Sequence, residues 1–534
     1  MPRQVSQSRP QLRAIIVPSI GNMVFLSVFF VLIFGSGNGL LGDGDTGYHI
    51  KTGEVILKSW KVPAYDFYSF HSPALSWTAH EWLSEVIMAM IFTWAGLTGV
   101  VVFFAFLLAF THWLLYRSLR AKSNDLLLCT FLVLLATATS SIHWLARPHV
   151  FSILLTVVWC YCLDRYQSDN RTVFIGYLPF LMLLWVNLHG GFIIGLVLLG
   201  IHLANDFFNS LTAKPDASTV YSQRVKTLSL VFLACVAVCF VNPYGFNILL
   251  FPIRVTSDRF IMDRVIEFLS PNFHEALAFK YMLLFLIGAL ALSRAALSFA
   301  DVACVTLLSY MSLYSARHVS LFAVILAPIL LKVVSEIIAR TPESFSAWYM
   351  NRNLYMRAID SSLRPYLWPT VSIVLVTALV TTGLISFQFD NKKFPVKAVE
   401  FLRREKIPGN VFNDDEFGDY MIYAAWPMYR VFMDGRSDMY GERYGRDYLR
   451  IANVEPGWKQ TMEKYGVGWV IFNTESPLTA ALREQPDWQS IYSDLVATIF
   501  VKNEPEYREL LVKYSVVSVP TRYERLKAGD ESAN

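Results

Sequence analysis

The sequence predicts a polytopic α-helical membrane protein that ends in a soluble α/β domain, and three observations carry that prediction. First, 54% of the residues are hydrophobic, 15% are aromatic and only 16% are charged, a balance too apolar for a water-soluble chain of 534 residues. Second, about eleven apolar segments can be threaded through a bilayer, for which a helix needs roughly 20 residues. Third, from about residue 394 the long apolar runs stop and short apolar stretches alternate with polar ones. The formal net charge of +4 is small and dispersed, which gives no footing for a nucleic-acid partner.

The first apolar stretch, 14–34, is long enough to span, and no small-residue cleavage pattern follows it. It therefore reads as a retained helix and not as a signal peptide. A polar stretch follows over 35–84. Further spans are expected at 97–116, 126–141, 150–163, 173–186, 192–208, 228–241, 281–292, 297–314, 321–334 and 367–385. Several are short of a full crossing, which calls for tilt or a locally thinned bilayer.

Lysine and arginine in the short loops set the orientation. Arg3, Arg9 and Arg13 precede the first span. Alternate loops then carry Arg117, Arg120 and Lys122; Arg165 and Arg171; Lys214, Arg224 and Lys226; and Arg340, Arg352, Arg357 and Arg364. That face is read as cytoplasmic, so the N-terminus is inside and, with an odd number of spans, the tail is outside. The expected division is a transmembrane domain over 1–387, with an outer first loop at 35–94, and an extracytoplasmic α/β domain over 388–534. The tail reads as a helix at 396–404, a short strand at 411–413, a helix at 417–425 and an apolar stretch at 429–433. Helices near Tyr444 and Trp458 and apolar runs at 467–472 and 495–501 complete it. The six cysteines all fall in apolar segments, where a thiol packs as a small hydrophobe.

On this topology the polar clusters gather at the outer face. Asp43 and Asp45 follow the first span, Arg147 and His149 follow the third, and His189 and then Arg317 with His318 follow later ones. His49, His71, His80, His143 and His274 also map to outer loops or helix ends. A transporter would bury its polar groups near the midplane and would show an internal repeat, which this sequence lacks. A membrane enzyme working at one leaflet would gather them as seen here. Asp43 and Asp45 also suit a turn and a helix cap, and each arginine also suits an interfacial snorkel.

The first loop holds more than linker. Ile50, Gly53, Ile56 and Leu57 give one apolar face to a helix expected at 46–58, and a second helix is expected at 79–94. Both suit the plane of the interface. Asp45, Tyr48, Gly53, Pro63, Tyr65 and Trp82-Leu83 then follow in the order found after the first span of the GT-C superfamily of membrane glycosyltransferases, and the chain resembles the bacterial, poorly characterised branch of that superfamily.

The resemblance implies transfer of a hexose or pentose from a polyprenyl-linked sugar donor to a lipid, glycan or protein acceptor outside a bacterial cytoplasmic (inner) membrane. It makes Asp45 the catalytic base and Asp43 its neighbour. Such chemistry needs a base for the acceptor and positive charge for the leaving phosphate. Arg147 and Arg317 are the phosphate candidates, with Arg254 behind them; His149, His189 and His318 are candidates to line the substrate cavity. A divalent cation, magnesium or manganese, is expected on Asp43 and Asp45, with His149 and His189 as further ligands. One departure stands out. Many members carry a second carboxylate shortly after an Ala-Arg pair, whereas here Pro148, His149 and Val150 follow Ala146-Arg147. Either His149 takes over a role, or Asp66 or Glu81 supplies the charge, or transfer has been lost. Two other readings therefore stay open: a non-catalytic GT-C-like membrane scaffold, and a surface-polysaccharide polymerase or ligase.

Overall fold

The computed structural model describes residues 16–515 other than 170, 276, 362, 364 and 365. Arg3, Arg9, Arg13 and Arg364, used for the orientation, lie outside the described residues. The chain is mainly helical with one small sheet, and it divides into two compact units. One unit is built from the chain up to Leu40, Thr98–Ser257 and Met262–Ser386. The other joins Leu41–Leu97 and Asp258–Ile261 to the chain from Phe387. The sequence reading groups the first outer loop with the transmembrane part; in the structure that loop packs with the polar C-terminal part.

Among the described residues, five helices are long and apolar enough to cross a membrane: Trp82–Lys122, Leu126–His143, Gly190–Thr212, Pro215–Val238 and Ala316–Ala339. Ile20–Gly35, Thr172–Leu188, Ala278–Leu292, Phe299–Tyr314 and Leu367–Thr381 are shorter apolar helices. His149–Asp169 covers a further expected span. Local chemistry sets several starts. Ser19 and Asp125 each accept a backbone N–H at a helix start, and Ser298 and Asp301 cap one another's amides. Gly96, at φ 61° and ψ −164°, breaks the 41-residue run Trp82–Lys122 into two helices. Only glycine adopts that backbone conformation without strain. Hence the expected helices at 79–94 and 97–116 share one apolar run yet remain separate. In the first unit, Ser320 Oγ donates to the Ser140 carbonyl at 3.0 Å, which ties the helix Val319–Ala339 to Leu126–Ser140.

The second unit is built on a four-stranded sheet of order β1-β2-β4-β3, with β1 at Asn410–Asn413, β2 at Val467–Asn473, β3 at Trp488–Ser493 and β4 at Ala497–Lys502. β1 runs parallel to β2, with Val411 opposite Trp469. β4 runs antiparallel to both its neighbours. Phe412, Phe432, Tyr448, Val470, Phe472 and Phe500 form the core beside the sheet. The first-loop helix Asp45–Ser59 packs on the helix Asp415–Ala425 and on the start of Trp82–Lys122. Gly53 allows the second approach: any Cβ there would overlap the Glu85 carbonyl. The extended part of the loop is stitched to the C-terminal part as well. The Val431 amide donates to the Tyr68 carbonyl at 3.0 Å, and Phe70 donates back to Val431.

Candidate functional site

In the second unit, Asp45 opens its helix and is buried at 7% exposure. Asp43 Oδ1 accepts the Asp45 amide at 2.8 Å, so the Gly-Asp-Gly-Asp turn both caps the helix and orients Asp45. Asp45 does not stand alone. Asp419, one turn into the helix Asp415–Ala425, is buried at 3% exposure and accepts the Gly435 amide at 2.9 Å. A Cβ at residue 435 would overlap Asp45 Oδ1 and would lie 3.0 Å from Asp419 Oδ2. The two carboxylates therefore converge on one small space that the glycine leaves open. Burial, and next the negative charges of Asp45, Asp434 and Asp43, push the Asp419 carboxyl well above the ordinary carboxylate range. A like-charged buried pair of this kind holds a proton or a cation near neutral pH.

A buried ion network lies directly beyond Gly435. Arg436, 3% exposed, meets Asp434 through Nε and Nη2, both at 2.7 Å, and reaches Asp66 of the first loop at 2.8 Å. Tyr440 donates to Asp434 at 2.6 Å, and the guanidinium lies over the rings of Trp77 and Tyr68. Burial works to raise the Asp66 carboxyl, but Arg436, Ser69 and the amides of Tyr68 and Ser69 outweigh it and hold it below its usual range. Asp66, one of the sequence candidates for a second charge, is thus committed to this network. Next to it, His49 lies one helical turn after Asp45, with Glu85 at 3.1 Å and Glu81 at 3.5 Å, and His80 lies 3.6 Å from Glu81. The sequence marks His49 only as one of the outer-loop histidines and does not mark Glu85; the i,i+4 spacings Asp45–His49 and Glu81–Glu85 are the signal available.

The first unit holds a second polar group. Arg147 Nη1 makes a 2.5 Å ion pair with Glu267 Oε1, and Arg317 Nε lies 3.9 Å from Glu267 Oε2. His143 approaches Glu267 at 3.9 Å, and His149 Nε2 bonds the His143 carbonyl at 2.8 Å. Glu267 is positioned by its own backbone: its carbonyl accepts Ser315 Oγ at 3.0 Å, and the Ala316 amide donates to the Leu269 carbonyl at 2.9 Å. Burial acts to raise the Glu267 carboxyl, but Arg147 and then Arg317 outweigh it and hold it well below the ordinary range. Arg147 and Arg317 thus both face Glu267, and guanidiniums gathered in this way suit a phosphate. Arg147, His149 and Arg317 are therefore brought together, with His318 next to Arg317 in sequence at the start of the same helix. Glu267 is a member of this group that the sequence does not mark.

His189 and Arg254 are placed differently. His189 Nδ1 accepts the Gly191 amide at 2.9 Å and contacts Ser152 Oγ at 2.8 Å, while Trp185 donates to the same hydroxyl at 2.7 Å. That ring nitrogen thus fixes the helix connection. Arg254 sits exposed on the helix Asn247–Ser257. Among the described residues, no group of three or more His, Cys, Asp or Glu side chains is placed to hold a metal ion. The convergent oxygens of Asp45 and Asp419 offer two carboxylates, the number magnesium commonly takes from protein when water and substrate phosphate supply the rest.

No family model matches the chain, and neither does any curated protein. Solved structures do match. The archaeal oligosaccharyltransferase AglB from Archaeoglobus fulgidus, in complex with an inhibitory peptide and a dolichol-phosphate, superposes with a TM-score of 0.54 at 11% identity, covering 88% of this chain and 70% of that one. The apo form of the Archaeoglobus fulgidus oligosaccharyltransferase matches with the same TM-score and identity over 94% of this chain and 75% of that one. The same enzyme tethered to an acceptor peptide containing the NVT sequon gives a TM-score of 0.54 over 88% of this chain and 70% of that one, again at 11% identity. At such identity the likeness establishes the fold alone: the chain is folded like the Archaeoglobus fulgidus oligosaccharyltransferase.

Proposed function

We propose that the protein is a membrane glycosyltransferase that moves a sugar from a polyprenyl-phosphate-type donor to a lipid, glycan or protein acceptor at the outer face of a bacterial cytoplasmic membrane. The convergence of Asp45 and Asp419 on Gly435, in a chain with this fold, is the observation that carries the reading. Two of the similar structures hold a dolichol-phosphate and an acceptor peptide respectively, which supports a lipid-linked donor and a separate acceptor.

In this reading Asp45 is the base. It takes the proton from the acceptor nucleophile, while Asp419, whose carboxyl is raised, carries the shared proton and keeps the pair from repelling the donor. Asp43 fixes Asp45 through its amide. Arg147 and Arg317 are the groups for the leaving phosphate, and Glu267 holds their guanidiniums in place. In this reading Asp419 supplies the second carboxylate that the stretch after Ala146-Arg147 lacks. A divalent cation, magnesium or manganese, is the alternative to that proton: it would be held by Asp45 and Asp419 in the proton's place and would supply charge neutralisation at the phosphate.

The test is to express Asp45→Asn and Asp419→Asn in cells lacking the native protein and to profile extractable lipid-linked sugars and surface glycans. A folded variant should accumulate the donor lipid and lose the glycan, with activity down by about 100-fold or more. Unchanged glycans in both folded variants would leave the non-catalytic scaffold as the better reading.

A further inference from the structure

The first unit contains a second feature that this chemistry does not use: a cavity of about 680 Å³ at the other end of the helix His149–Asp169, which follows Arg147, and of the helical run that carries Arg317. Along Ala316–Ala339, Arg317 and the cavity-lining Lys332 are separated by about 22 Å at the ordinary helical rise. The cavity is thus close to the opposite face of the hydrocarbon layer, the face whose loops are rich in lysine and arginine.

Its lining is sorted by depth. On Ala316–Ala339 the wall runs from Ile325, Pro328 and Ile329 to Lys332 and Ser335, about 10–15 Å from an apolar floor to a polar rim. On His149–Asp169 it runs from Cys160 to Asp164 and Asp169, and on Phe299–Tyr314 from Cys304 to Asp301 at the helix start. Ser118 and Lys122 close the rim from the end of Trp82–Lys122. Independent helices therefore agree on one direction of polarity, as expected for a site that takes a headgroup above and chain methylenes below.

The rim is balanced in charge. Lys122 pairs with Asp164 at 2.6 Å, Lys332 with Asp301 at 2.7 Å, and Arg165 with Asp169 at 2.5 Å. These six side chains are 21–43% exposed, so they are ordered yet open to a ligand. Arg165 Nε is buried with no hydrogen-bond partner among the described residues. A purely anionic headgroup would meet three carboxylates at this rim. A headgroup with both signs satisfies both sets: its phosphate takes lysine and arginine N–H donors, and its primary ammonium donates to the aspartates.

We propose that this cavity is a binding site for one ethanolamine phospholipid of the leaflet on the lysine- and arginine-rich face. The proposal does not rest on the transferase reading. The experiment is native mass spectrometry of the delipidated full-length protein titrated with dioleoyl phosphatidylethanolamine, phosphatidylglycerol or phosphatidylcholine. One copy of the ethanolamine lipid should be retained at least about fivefold more strongly than either of the others. Lys332→Ala should abolish that preference, and Ile329→Trp, which fills the floor without touching a charge, should reduce retention of all three. Leu313→Trp, on an exposed face of the same unit, should change nothing. Photo-crosslinking with a diazirine-bearing ethanolamine lipid guards against misfolded variants: labels on the wild type should map to 118–123, 160–169 and 325–335. Equal retention of phosphatidylglycerol, labels found only elsewhere, or full competition by equimolar soluble glycerophosphoethanolamine would each overturn the proposal.

Discussion

Replacing Arg436 with methionine removes one buried charge and strands two others. Asp434, 1% exposed, and Asp66, 7% exposed, lose the guanidinium they share. The bonds lost are two of 2.7 Å to Asp434 and one of 2.8 Å to Asp66, along with the stacking on Trp77 and Tyr68. Breaking a buried pair by deleting one partner costs about 3–5 kcal/mol, because the survivor stays charged and unsolvated. A stranded carboxylate can escape by taking up a proton, and at pH 7 that route costs ~4 kcal/mol from an ordinary carboxylate pKa. The two limits agree. For a unit of roughly 200 residues, ~3–5 kcal/mol corresponds to a melting temperature lower by about 6–20 °C. The pH dependence gives a second handle. Asp66 has a lowered folded-state pKa, so in the wild type its contribution is fully present above the ordinary carboxylate range and is lost only as pH falls through the lowered value. The wild type should thus be flat in this respect from pH 8 to pH 5. In Arg436→Met the stranded Asp66 is protonated more cheaply as pH falls, so the deficit should shrink over the same interval. Tryptophan-fluorescence melting of the full-length protein in detergent at pH 5 and pH 8 reads both effects. A loss below about 3 °C, or a larger loss that ignores pH, would refute the reasoning.

Other outcomes follow from the same geometry. Gly435→Ala should cost about 1–2 kcal/mol of stability but abolish most glycan transfer, because the added methyl must displace the Asp45 and Asp419 carboxylates; in-cell glycan profiling of the folded variant checks it. Asp419 has a raised folded-state pKa, so between the ordinary carboxylate value and that raised value the folded chain holds more protons than the unfolded one, and stability falls as pH rises. Asp419→Asn should flatten this slope between pH 5 and pH 8 in thermal melts. Glu267→Gln should destabilise the protein by ~3 kcal/mol at pH 7, and the deficit should persist down to pH 5 because Glu267 stays ionised below its ordinary range.

The helices of this chain were largely legible because lipid exposure and core packing both demand long apolar runs. The expected helix at 46–58 is found at Asp45–Ser59, and the break near residue 96 is found at Gly96. The sheet was less legible. β3, Trp488–Ser493, carries polar residues at alternate and adjacent positions and is mostly half-buried, so it gave no apolar run. The stretch 429–433 has strand-like composition but makes only a single bridge, Ser69 to Val431, because its partner is the first loop and not the sheet. The sequence exposed Asp45, Arg147 and Arg317 through their place at helix ends. It hid Asp419 and Glu267, whose significance comes from partners far along the chain: Gly435 sits beside Asp45, and Glu267 lies 120 residues from Arg147. Likewise Asp66 read as a spare catalytic charge, since its partner Arg436 lies hundreds of residues further along the chain.

His71 bonds the Phe432 carbonyl across 361 residues, and the whole first loop shares that long wait for its partners. At ordinary ribosomal speeds of ~5–20 residues per second, about 20–70 s separate the synthesis of the loop from that of the segment that covers it. Throughout that interval Asp66 has no guanidinium and Phe70 no aromatic neighbour from the tail. The loop must therefore dwell exposed while every intervening helix is inserted. A nascent chain stalled before residue 430 should present a protease-sensitive loop that becomes resistant only once translation resumes.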